Sequence, residues 1–202
     1  MSITTETHRD DLASKTGMWL FLFTEMLLFG GLFVVYSVYR YKNAVAFHFA
    51  ARELSVLTGT INTLLLLISS ATIAMSITAI QKKSKKLTLF LIGITLLLGL
   101  LFLVNKYYEW GDHIKEHIYP GSPVLALRGQ GDVLFYGLYF FMTGLHALHI
   151  IIGLVFMIVV AVKISRDRIT FDNFALHENS GLYWHLVDLI WIFLFPLLYL
   201  IT

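Results

Sequence analysis

The chain has 202 residues, of which 57% are hydrophobic and 14% charged, with a mean hydropathy of +0.75. About a quarter of a typical soluble protein is Asp, Glu, Lys and Arg, so this composition excludes an ordinary water-soluble domain and suits one compact domain whose solvent is lipid. The absence of cysteine excludes disulfides, thiolate nucleophiles, iron–sulfur clusters and zinc thiolate sites, and a net charge of +2 dispersed over short loops leaves no footprint for nucleic acid.

A helix that crosses a bilayer needs about 20 mostly apolar residues. The first such stretch runs from Gly17 to Tyr39, behind Arg9 and Lys15. It is longer than the apolar core of a signal peptide, carries Glu25, and is not followed by a small-residue cleavage pattern, so it reads as a retained helix. The second runs from Leu54 to Ile80, with Asn62, Thr63, Ser69 and Ser70 as donors and acceptors for Glu25 or a histidine on another helix.

The third stretch, Leu87 to Asn105, leads into Tyr108, Glu109, Asp112, His113, Glu116 and His117, which read as a solvated mixed-charge helix end and loop. Pro120 and Pro123 block a continuous helix across the connection from Gly111 to Asp132. The fourth, Val133 to Val162, places Thr143, His146, His149 and Gly153 on one face. The fifth, Gly181 to Ile201, follows a loop with His177 and Glu178, and its His185 and Asp188 are spaced to pair. Unbroken runs of this length exclude barrel strands. The expected fold is all-α: a polytopic membrane bundle of five transmembrane helices forming one domain over residues 1–202.

Lys and Arg set the orientation of short loops. Nine lie at the amino terminus and in the second–third and fourth–fifth connections, including the Lys82, Lys83, Lys85, Lys86 cluster; six, Lys106 and Arg128 among them, lie on the other side. The amino terminus is therefore expected inside and the carboxyl terminus outside. Trp19, Tyr36, Tyr39, Tyr107, Tyr108, Trp110, Tyr183 and Trp184 read as rings at the headgroup level, and Gly30, Gly31, Gly59, Gly137 and Gly144 as points of close helix approach.

In lipid the informative residues are the polar exceptions, because an acidic or basic side chain at a helix centre costs about 2.5–3.5 kcal/mol on insertion scales. Glu25, roughly 12 Å into its helix at 1.5 Å per residue, is either a neutral acid bonded between helices or a proton-exchanging carboxyl. His146 and His149 are either hydrogen-bonded core residues or ligands; three residues apart on one helix, they cannot both be axial to one haem, although a haem could take His149 and His185. No metal-binding spacing stands out. His185 and Asp188 form either a polar anchor or a proton-collecting patch.

The stretches WLFLFTEMLLFGGLF, LTGTINTLLLLISSATIAMSI, YYEW, GDVLFYGLYFFMTGLHALHIIIGLVF and ENSGLYWHLVDLIWIFLFPLLYL resemble subunit III of the haem–copper oxidases over all five helices. The resemblance implies a non-catalytic accessory subunit of a bacterial terminal oxidase in the cytoplasmic membrane, without haem or copper of its own. It would stabilise subunit I, associate with subunits I and II, retain phospholipid and support proton uptake. Glu25 falls on the family's carbodiimide-reactive glutamate, His146 and His149 on its histidine pair, Tyr108 and Glu109 on its tyrosine–glutamate pair, and Glu178, His185 and Asp188 on its last-helix motif; Asn62 and Thr143 are expected to support them. Longer members begin with two further helices, so the lipid site here is expected to be more open or completed by a partner. Cytochrome c oxidase is the leading expectation. A quinol oxidase, a nitric oxide reductase system and an independent proton-coupled transporter are the alternatives.

Overall fold

A computed structural model describes the backbone of residues 3–201 and the side chains of residues 13–201; the side chain of Arg9, counted above for orientation, lies outside the described residues. The chain is 86% helical. In order it forms α1 (Ile3–Lys42), α2 (Ala44–Arg52), α3 (Val56–Gln81), α4 (Lys85–Lys115), α5 (Pro123–Arg128), α6 (Gln130–Ser165) and α7 (Ala175–Tyr199). Five of these (α1, α3, α4, α6 and α7) are long and apolar enough to cross a membrane. The chain is a multi-pass membrane protein.

The apolar runs locate the spans but not their ends. Helix α4 continues ten residues beyond Asn105 because a 3.6-residue period outlasts the apolar run: Lys106 and His113 are buried and Trp110 is half-buried on one face. Two short helices were not expected. In α2 the spacing of buried Phe47, Ala50 and Ala51 gives the face that packs on α6. Pro123, expected to block helix, instead begins α5, since its missing N–H would be unpaired in the first turn anyway; Ser122 caps that turn by accepting from Val124 N–H. Helix α5 ends at Gly129, whose φ of 124° lets the chain turn directly into α6. His177 and Glu178, expected in a loop, form the first turn of α7.

Helices α3, α4, α6 and α7 make the core, with α1 lying against α6 and α7. Within its most apolar stretch α7 is the most buried span, at 56%, and α1 the least, at 11%. Trp184 of α7 sits at the centre, fully buried. Its indole rests against Gly99 of α4 and Gly153 of α6, where a Cβ would lie 2.8 and 2.9 Å from ring carbons, and its N–H donates to Ser69 Oγ of α3 at 2.9 Å. Four helices thus meet on one side chain.

Trp184, Tyr183 and Tyr36 are therefore core residues and not rings at the headgroup level; Tyr36 is fully buried and donates to the Leu197 carbonyl at 2.6 Å. Trp19, Tyr107 and Tyr108 are exposed, as such rings would be. The close approaches also fall elsewhere than expected. Gly59 packs on Phe195, but a Cβ at Gly30, Gly31, Gly137 or Gly144 would meet nothing within 4 Å, whereas Gly99, Gly131, Gly153 and Gly181 are tight.

Candidate functional site

Helix α3 carries a polar residue toward a neighbour at almost every turn. Asn62 Oδ1 accepts from Asn105 Nδ2 of α4 at 2.9 Å. Thr63 and Ser69 accept from the indoles of Trp191 and Trp184 at 3.0 and 2.9 Å. Ser70 Oγ meets His185 Nδ1 at 2.6 Å, Thr72 meets Thr95 of α4 at 2.7 Å, and Ser76 meets His177 Nε2 at 3.0 Å. Bilayer lipid gives helices no hydrophobic reason to associate, so such bonds and close packing hold them together.

Glu25 of α1 and His149 of α6 come together at this level. Glu25 Oε2 lies 2.9 Å from His149 Nε2, and His149 Nδ1 lies 2.8 Å from the Leu145 carbonyl. The carbonyl can only accept, so Nδ1 carries its proton there. A protonated carboxyl then donates to Nε2, or an ionised one pairs with imidazolium; one shared proton separates the two states. Phe29 packs edge-on against the His149 ring, and Tyr183 OH donates to the His149 carbonyl at 3.0 Å. Asn62, expected as a donor to Glu25 or a histidine, bonds instead to Asn105 across the α3–α4 contact.

His146 is one turn from His149 but serves a different environment. It is fully buried between Phe102 and Trp191, at ring-centroid distances of 5.5 and 5.2 Å, and neither ring nitrogen has a partner. Thr143 turns its hydroxyl back onto the Tyr139 carbonyl at 2.6 Å, so it closes its own helix and supports neither histidine.

His185 and Asp188, expected to pair, do not. His185 bonds to Ser70, while neither Asp188 oxygen has a hydrogen-bond partner. Ser70 belongs to another helix, so i,i+3 spacing along α7 could not reveal it. Glu178 pairs with Lys15 of α1 at 2.9 Å, and buried His177 bonds to Ser76. The Lys15–Glu178 ion pair, with Trp19, Ala74, Ile77, Leu182 and His185, lines a largely apolar groove of about 420 Å³ at this end.

The larger correction lies at the opposite end. Glu109, read as solvated, is 7% exposed, and Lys106, counted as a surface charge, is 1% exposed. The ammonium lies 3.2 Å from Glu109 Oε2 and donates to Tyr139 and Tyr199 at 3.1 and 2.9 Å; both phenols donate to Glu109 Oε1, at 2.6 and 2.5 Å. Four residues from α4, α6 and α7 close one network. Beside it Arg128 reaches both oxygens of Glu53 at 2.9 Å, and Tyr136 donates to the same carboxylate at 2.6 Å. Hydrogen bonding to Glu53 holds the Arg128 guanidinium above its ordinary range. His113, also read as solvated, is buried against Tyr136, Tyr139 and Phe140. Tyr108 faces outward, 65% exposed.

Among the described residues no three His, Asp or Glu side chains converge in a way that would hold a metal ion. Apart from His146, Asp188 and Thr143, most of the polar groups described above form ion pairs and hydrogen bonds across helices, the Glu25–His149 contact among them.

Residues 5–202 match the family model described as cytochrome c oxidase subunit III. A relative from Staphylococcus aureus named "Probable quinol oxidase subunit 3" is 30% identical over 202 residues, covering 99% of this chain and 94% of the relative. One of the same name from Staphylococcus saprophyticus is 29% identical over 200 residues, with 99% and 94% covered. The Glu25–His149 pair, the Tyr108–Glu109 dipeptide and the helix order all fall inside the matched region. The chain belongs to the cytochrome c oxidase subunit III family, within the haem–copper oxidases.

Proposed function

We propose that the chain is an accessory subunit of a bacterial terminal oxidase in the cytoplasmic membrane, seated against subunits I and II, with haem and copper carried by its partners. The observation that carries this reading is the family match over residues 5–202 together with the Glu25–His149 contact inside it. The polar groups this chain buries are suited to holding helices together and sharing a proton, not to electron transfer. The apolar walls of the groove beside Trp19, Ala74, Ile77 and Leu182 suit an acyl chain, which supports the retention of phospholipid, while Lys15 at the same groove is engaged by Glu178. Glu25 and His149 share a proton within the apolar zone and thereby influence proton supply to the partner.

Cytochrome c oxidase is the leading expectation from sequence, and the family model carries that description; the names of the relatives favour quinol as the electron donor. We adopt quinol. Deletion of this chain from its native membrane should leave an oxidase that loses activity during sustained turnover, measured as oxygen uptake with a quinol donor. Undiminished uptake over many turnovers would falsify the supporting role. Uptake with reduced cytochrome c and none with quinol would return the donor to cytochrome c. Movement of a solute by the chain reconstituted alone would favour the transporter.

A further inference from the structure

A series of oxidisable rings connects the core of the bundle with the end built from α2 and α5. Trp191 of α7 is fully buried, and its ring centroid lies 6.2 Å from that of Tyr199. Tyr199 lies 6.4 Å from Tyr139 of α6, and Tyr139 lies 6.4 Å from Tyr136. Rings at this spacing meet at their edges, so an electron has only a short step from each to the next.

Packing at a helix interface asks for ring contacts and nothing more. Here each phenol also faces a carboxylate that can take its proton. Tyr199 and Tyr139 donate to Glu109 Oε1 at 2.5 and 2.6 Å, and Tyr136 donates to Glu53 Oε2 at 2.6 Å. Glu53 opens the series to water, since its side chain is 44% exposed.

The Lys106 ammonium adds a constraint. It lies 4.9 to 5.7 Å from the ring centroids of Trp110, Tyr139, Trp191 and Tyr199, so a positive charge left on any of those rings is unfavourable. An oxidised phenol avoids that charge, because it is a strong acid and gives up its proton with the electron. In Tyr139 and Tyr199 the neutral phenoxyl oxygen that remains still accepts from Lys106.

We propose that this series carries one-electron oxidising equivalents out of the apolar core to the water at this end, and so protects the bundle from oxygen-centred radicals. Such a radical takes one electron from the Trp191 indole and becomes the corresponding anion. Tyr199 returns an electron to the indole while its proton passes to Glu109. Tyr139 then gives an electron to Tyr199, which regains the proton from Glu109 as Tyr139 passes its own to the same oxygen. Tyr136 repeats the exchange with Tyr139 and loses its proton to Glu53. A one-electron donor in the water, such as ascorbate, reduces Tyr136, and Glu53 hands the proton back. The source of the radicals, oxygen chemistry in partner subunits, rests on the subunit reading above; the path through the rings does not.

The chain has no cysteine, so Ile192→Cys, beside Trp191 in sequence and 44% exposed, accepts a single thiol-reactive ruthenium polypyridyl photo-oxidant. A light flash with an electron acceptor in solution generates ruthenium(III) on the full chain in micelles. Transient absorption and electron paramagnetic resonance then follow the hole. The expected result is a tryptophan radical that decays into a neutral tyrosyl radical, more slowly in heavy water because a proton moves with the electron. Rings that only pack would show no such isotope dependence. Trp191→Phe should suppress the tyrosyl signal, and the Tyr139→Phe, Tyr199→Phe double variant should leave the hole on Trp191. The isotope measurement alters none of the four rings, so it decides the matter even where a variant fails to fold. A tryptophan radical that never passes to tyrosine, or a tyrosyl signal unchanged by these substitutions, overturns the path. A working path in a chain that never co-purifies with haem-containing subunits overturns the subunit reading and the stated source of the radicals, and leaves the path standing.

Discussion

Removing the ammonium of Lys106 would leave the Glu109 carboxylate buried with only two phenols for company. Breaking one partner of a buried pair costs about 3–5 kcal/mol, whereas replacing both with apolar groups of similar volume is often neutral. Lys106→Met is therefore expected to lower unfolding stability in mixed micelles by about 3–5 kcal/mol. A Lys106→Met, Glu109→Leu double variant should recover most of that loss; equal losses would mean that the two residues do not form a unit. For Glu25 the expectation differs, because glutamine keeps both size and hydrogen bonding. Glu25→Gln should leave assembly intact, read by co-purification, and change only what depends on the shared proton. Gross loss of the complex would make the pair purely structural.

At the scale of elements, α3 explains why the spans were legible in the sequence while the site was only partly so. Twenty or so apolar residues in a row are a local signal, as are the turns of α2, where Phe47, Ala50 and Ala51 mark a buried face. The Lys106 network is not local. Its phenols come from Tyr139 and Tyr199, 33 and 93 residues away, and a lysine just past an apolar run looks like one reaching for the headgroups. The His185–Asp188 spacing misled for a related reason, since His185 bonds to Ser70 of α3 instead. The seat of Trp184 is likewise assembled from three other helices. Gly153→Ala is expected to destabilise the chain by about 1–3 kcal/mol, because the added methyl meets both ring carbons of Trp184 and the Tyr183 ring. The helix ends carry the opposite opportunity. Helices α3, α4 and α6 each end with Lys83, His117 or Asp167 at φ near +60°, closed by bonds such as Ile118 N–H to the His113 carbonyl at 2.8 Å. A side chain pays for that conformation and glycine does not, so His117→Gly is expected to stabilise by about 1 kcal/mol in the same assay. No gain in stability would mean that the α4 end carries no strain.

For the whole molecule the correction to Lys106 bears on orientation. A lysine buried in an ion pair inside the bundle is not a loop charge, so it leaves the outer count and the excess of Lys and Arg on the Lys82–Lys86 side grows. Arg128 stays at the surface but is neutralised by Glu53. The Lys82–Lys86 connection is therefore expected to face the cytoplasm, and the end built from α2 and α5 to face outward. The absence of cysteine makes this directly measurable, since any single introduced thiol is the only one in the chain. Lys82→Cys and Pro120→Cys fall at exposed positions at opposite ends. In intact spheroplasts a membrane-impermeant maleimide should label Pro120→Cys and spare Lys82→Cys until the membrane is opened. The reverse pattern would invert the bundle.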